Sequence, residues 1–135
     1  MKSVIWRVES EEGIGIYCYY QIINKKFYNF PKSTQQRLNK IYKDSITHNP
    51  EDDEILSSFW NDLSINDRKK YFFGFSNIHQ FFKWFSYGYR KDMAKIGLKL
   101  RKYQINEKNI IHGKYQSIFF KDDDTIILEE YLPDL

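Results

Sequence analysis

The chain has 135 residues, 41% hydrophobic and 29% charged, with a net charge of +3 at neutral pH. That length and balance suit one globular domain with a real core, and the mild charge does not by itself make a nucleic-acid binder. No run approaches the roughly 20 apolar residues of a membrane span, and a single cysteine, Cys18, excludes an internal disulfide.

The first element is SVIWRVE (3–9), a strand in which Val4, Trp6 and Val8 alternate with Ile5, Arg7 and Glu9. Arg7 and Glu9 therefore share a face with Ile5. SEEGIG reads as a turn, and IYCYYQII (16–23), β-branched and aromatic, as a second strand. Within it Cys18 reads as a buried, inert thiol. The lone cysteine and a start without an apolar leader fit a reducing cytoplasm. NKKFYNFPK is a loop. STQQRLNKIYKDS (33–45) has helical spacing, with Leu38, Ile41 and Tyr42 on one stripe and Ser33 or Thr34 as its cap.

THNPEDDE is a polar connection, and EILSSFWNDL a short helix with Ile55, Phe59 and Leu63 on one face. SIND (64–67) has the form of a capping box. YFFGF (71–75) is too rich in rings for a half-exposed helix and reads as a short central strand. Gly74 permits close approach of a backbone or ligand there. Ser76 or Asn77 caps the next helix, whose Ile78, Phe81, Phe82 and Phe85 form a full apolar stripe. RKDMAKIG (90–97) is a helix stopped by Gly97. LKLRKYQI (98–105) is a strand whose alternation slips before Tyr103, the sign of a bulge. KYQSIFF (114–120), the turn DDDT and IILEEYL (126–132) complete an α+β domain, a mostly antiparallel sheet with terminal strands and a central helical section.

Few residues carry chemistry openly. His48, His79 and His112 lie far apart in sequence, so no zinc site and no metal is expected. GIGIY lacks the spacing of a pyrophosphate-binding glycine loop. Arg90, Lys91, Lys95, Lys99, Arg101 and Lys102 make a basic run able to contact phosphate or nucleic acid, though a solvated face explains it as well. Arg7, inside an apolar strand, calls for a carboxylate such as Glu9 or for a ligand phosphate.

Three pieces in order resemble the ADP-ribosyltransferase superfamily: VIWRVE, KYFFGFSNIHQFFKWF and GKYQSIFFKDDDTIILEEYL. More loosely, WRVE…GIGIY…FGFSN…WF…GKYQ resembles a pattern in uncharacterised phage and prophage proteins. The first resemblance implies an NAD pocket. Arg7 would contact a phosphate or the nicotinamide ribose. Tyr17, Tyr71 and Phe75 would stack on nicotinamide or adenine, Ser76 would hydrogen-bond the ribose or support the closing strand, and Asn77 beside it would be a further ligand-binding residue. That family needs a carboxylate to stabilise an oxocarbenium-like transition state. Gln116 stands near the matching place and carries no charge, with Glu9, Glu129 and Glu130 as substitutes elsewhere. The implied function is an ADP-ribosyltransferase-like accessory protein that binds NAD, a related nucleotide or a host protein, with reduced or absent catalysis. An active mono-ADP-ribosyltransferase, and a nucleic-acid-contacting protein using residues 90–102, are the alternatives.

Overall fold

The computed structural model describes residues 1–13, 15, 36 and 54–135. Four expectations fall outside that set: the strand over 16–23 with Tyr17 and Cys18, the loop after it, the helix over 33–45 apart from Gln36, which is helical and exposed, and the connection THNPEDDE with His48 up to Glu54. The described elements run β1 (Lys2–Glu9), α1 (Glu54–Asn61), α2 (Ile65–Arg68), β2 (Tyr71–Gly74), α3 (Ile78–Trp84), α4 (Tyr87–Lys95) and β3 (Lys99–Asn106). A 3-10 turn (Glu107–Asn109), β4 (Ile110–His112), β5 (Ser117–Phe120) and β6 (Ile126–Tyr131) follow. Helices and antiparallel strands thus make the α+β architecture that the sequence patterns imply.

Among the described residues the strands form two three-stranded antiparallel sheets, β1-β3-β6 and β2-β5-β4. β1 and β2 join them. Trp6 and Phe75 exchange backbone hydrogen bonds of 2.8 and 2.7 Å just past the end of β2. This junction needs Gly74, because a Cβ there would stand 2.5 Å from Ile5 Cγ2 and 2.9 Å from the Trp6 carbonyl. The close approach expected at Gly74 is therefore made by the backbone of β1. β2, expected in the middle of a sheet, ends the order of its own sheet and gains its second neighbour through this junction.

Both faces of β1 and β3 are covered. Val8 and Leu100 on one face pack with Phe75, Phe81, Phe85, Met93 and Ile96, from α3, α4 and their flanks. Ile5, Tyr103 and Ile105 on the other pack with Ile110 and Phe119 of the second sheet. Two-sided burial explains the apparent slip in LKLRKYQI. The register of β3 with β1 is unbroken from Lys2↔Asn106 to Glu9↔Lys99, and each face is apolar over a different half of the strand. The expected bulge does occur, between Lys102 and Tyr103 in the pairing with β6, where Leu128 is the extra residue.

Several boundaries differ from the sequence patterns. α1 buries Leu56 and leaves Ile55 exposed, so its inner face is one residue further on than expected. Ser64 caps α2 by accepting from the Asp67 amide at 3.1 Å. Asn77 caps α3 by accepting from the Gln80 amide at 3.0 Å. α4 begins at Tyr87 under a Ser86 cap and ends before Gly97, whose φ is +85°. β5 begins at Ser117 instead of Lys114. β4, only three residues long, is too short for alternation to reveal.

Candidate functional site

Arg7 sits where the two sheets and the turn after β1 meet. Its Nε donates to Glu9 Oε2 at 2.6 Å, Nη1 to the Phe73 carbonyl at 2.8 Å and Nη2 to the Gly13 carbonyl at 3.3 Å. The guanidinium lies 5.1 Å from the Phe72 ring centre. Alternation along β1 puts Arg7 and Glu9 on one face, so the ion pair follows from the strand itself.

Glu9 is the hub of a larger network. Its side chain is fully buried. Arg101 donates from Nη1 to Glu9 Oε1 at 3.2 Å, and the Tyr103 hydroxyl donates to the same oxygen. Burial alone would push the Glu9 carboxyl up, but the Arg7 charge and the hydrogen bonds from Tyr103 and Arg7 outweigh it and hold the group below its ordinary range. Burial, with the hydrogen bond to Glu9, pushes the Tyr103 phenol up. Arg101 also donates from Nε to Glu130 Oε1 at 2.9 Å and to the carbonyls of Ser10 and Glu11. Lys121 reaches the Tyr103 hydroxyl at 3.3 Å and lies 4.3 Å from the Phe72 ring centre. Burial pushes its amine down.

Beside this network lies a cavity of about 280 Å³, counting its open mouth, whose lining includes Arg7, Phe73, Gly74, Phe75 and Gln116. The fold thus brings Arg7, Phe75 and Gln116 to one cavity. Other expected site residues lie apart from it. Tyr71 is half-buried with its ring edge-on to Phe59, Asn77 caps α3, and Glu129 is exposed on β6. Tyr17 lies outside the described residues.

The basic run does not form one surface. Arg90 is buried, stacked on Phe82 at 4.6 Å and donating to the carbonyls of Phe85, Pro133 and Leu135. Arg101 is buried in the Glu9 network, and Lys99 pairs with Glu11 at 2.7 Å and Glu130 at 3.4 Å. Lys91 and Lys95 are exposed on α4, and Lys102 lies 5.3 Å from the Trp6 ring centre. Among the described residues no His, Cys, Asp and Glu gather into a metal-binding group.

Ser76 belongs to a second polar cluster. Its Oγ lies 2.6 Å from His112 Nδ1 and 2.6 Å from Ser117 Oγ. His112 Nε2 is 2.7 Å from Glu107 Oε1, and Ser3 donates to the other oxygen of that carboxylate. The hydrogen bonds from Ser3 and His112 hold the Glu107 carboxyl below its ordinary range. Sequence spacing hides this cluster, since His112 meets Ser76 across 36 positions and Glu107 meets Ser3 across 104.

The family model described as Bacteriophage T4 Y00F protein matches residues 1–132. The chain belongs to that family. The expected phage origin therefore stands on a match along nearly the whole chain. No curated protein and no solved structure matches this Y00F-family chain, and none of the comparisons supports the resemblance to ADP-ribosyltransferases. Among its described residues no helix is long and apolar enough to cross a membrane.

Proposed function

We propose that this Y00F-family protein is a phage accessory protein that binds a host protein in the infected cytoplasm, by accepting an extended segment of that protein along β6. The carrying observation is β6 itself. Among the described residues it ends the order of its sheet, and Ile126, Ile127 and Leu128 are between 41% and 49% exposed, with Leu132 beyond them at 63%. Its bulge at Leu128 and its charges Glu129 and Glu130 discourage indiscriminate edge pairing, so capture by strand addition, a common mode of peptide recognition, would be selective for a complementary segment.

Charge supports a particular partner. The segment from Asp122 to Asp134 carries Asp122, Asp123, Asp124, Glu129, Glu130 and Asp134 and no lysine or arginine. A segment alternating apolar and basic residues complements it. Antiparallel pairing of two β6 strands centred on Ile127 would set Asp124 of each against Glu130 of the other.

The buried network fits this reading as scaffold. Arg7 is directed at Glu9, Phe73 and Gly13, and the neighbouring Gln116 carries no charge to stabilise a cationic sugar. The enclosed room in the cavity is about 20 Å³, enough for little more than a water molecule. These features weigh against nucleotide turnover and leave binding as the role.

Hydrogen exchange of the full chain tests the proposal, using a blocked hexapeptide alternating valine and lysine and its valine–glutamate counterpart. The basic peptide is expected to slow exchange in residues 126–131, and the acidic one to leave it unchanged. Equal effects, or none, would overturn the reading.

A further inference from the structure

Ser76, His112 and Glu107 form a hydrogen-bonded chain that the docking role does not use. Each comes from a different place: Ser76 from the junction of β2 and α3, His112 from the end of β4, and Glu107 from the turn after β3. Ser3 of β1 anchors the far carboxylate oxygen. The bonds fix the order of roles. Glu107 Oε1 accepts from His112 Nε2 at 2.7 Å, which requires the proton on Nε2. In that tautomer Nδ1 presents its lone pair to Ser76 Oγ at 2.6 Å, so the serine donates its proton to the imidazole. A nucleophile, a base within hydrogen-bond reach and a carboxylate orienting the base are the parts of an activated serine.

We infer that Ser76 is a nucleophile activated by His112 and Glu107 for acyl transfer from small, activated carboxylic esters. Ser76 Oγ attacks the ester carbonyl carbon while its proton passes to His112 Nδ1. The C–O bond to the alcohol breaks, and the alcohol leaves with that proton. Water, deprotonated by His112, then attacks the acyl-serine; the carboxylic acid departs and Ser76 regains its proton. Glu107, held ionised by Ser3 and His112, stabilises the imidazolium formed in both steps. Access favours the chemistry. The side chains of His112 and Glu107 are 42% and 34% exposed, and Ser76 is half-buried, so a small ester reaches the hydroxyl from solvent. Ser117, fully buried and 2.6 Å from Ser76 Oγ, holds the hydroxyl in place. This inference is independent of the docking role.

A fluorophosphonate reagent on the full chain, read by mass spectrometry of the labelled peptide, tests it. The expected result is an adduct on Ser76 that forms on the folded protein and not on the protein in urea. His112→Gln is expected to slow labelling about a hundredfold, in the range of general-base assistance. Added imidazole is expected to restore part of the rate to His112→Ala, a rescue that a purely structural histidine does not show. Thermal melts confirm that each variant is folded. Should one unfold, the comparison of native with urea-treated wild-type protein still decides. No adduct on Ser76, or one formed as fast in folded His112→Gln as in wild type, would overturn the inference.

Discussion

Arg7 of β1 and Arg101 of β3 stand directly opposite each other in the sheet, both buried, with the Glu9 carboxylate bonded to each. Like charges facing across an antiparallel pair destabilise it unless an anion intervenes. Glu9 is that anion. Glu9→Gln should therefore lower stability by about 3–5 kcal/mol, the usual penalty for removing one partner of a buried charge pair. Urea unfolding of the variant checks this. A loss under about 1 kcal/mol, the size of an exposed pair, would mean that the two guanidinium groups are neutralised elsewhere.

The same carboxyl dictates behaviour in acid. Its ionisation is favoured in the folded state, so the unfolded chain takes up the proton first as pH falls. The stabilisation is present above the ordinary carboxyl value of 4.5 and is lost as pH drops through the lower folded value. Unfolding free energy measured from pH 6 to pH 3 should fall less steeply in Glu9→Gln than in the wild type. Parallel curves would remove Glu9 as the acid-sensitive group.

Tyr103 gives the opposite prediction at the alkaline end. Its phenol is raised in the folded protein, so the unfolded chain loses the proton first, from about the ordinary value of 10.0 upward. Stability falls as pH rises beyond that point. Tyr103→Phe should abolish this alkaline loss. At neutral pH the variant should be weaker by about 1–3 kcal/mol, because Glu9 loses a buried donor. Denaturation at pH 7 and pH 11 separates the two effects.

Two glycines should respond oppositely to alanine. Gly74→Ala drives a methyl into Ile5 and the Trp6 carbonyl at the junction of the sheets, so a loss of about 1–3 kcal/mol or more is expected. Gly88, in α4, has nothing within 4 Å of an added Cβ. Gly88→Ala should stabilise by roughly 0.5–1 kcal/mol through helix propensity. Paired thermal melts check both signs.

How much of this was legible depends on sequence distance. The Arg7–Glu9 pair could be read directly, because a period of two places both on one face of one strand. The Asn77 cap and the stop at Gly97 were legible for the same local reason. Arg101 and Tyr103, the other partners of Glu9, lie 92 and 94 positions away, and nothing in a local pattern points across that distance. A buried arginine and a solvated one look alike in a charge run, so Arg90 and Arg101 read as parts of a basic face. The Ser76–His112–Glu107 chain is assembled by β2, β4 and the turn after β3, and β4 is too short to announce itself.

The pairing of β1 with β3 also sets the order in which the protein is built. Lys2 meets Asn106 and Glu9 meets Lys99, so β1 is made well before its β3 partner. Closing such a loop carries an entropic penalty before any contact rewards it, and long-range strand pairing is slow for that reason. The helices between residues 54 and 95 have time to form first. The Glu9 network completes only once Arg101 and Tyr103 of β3 have been made.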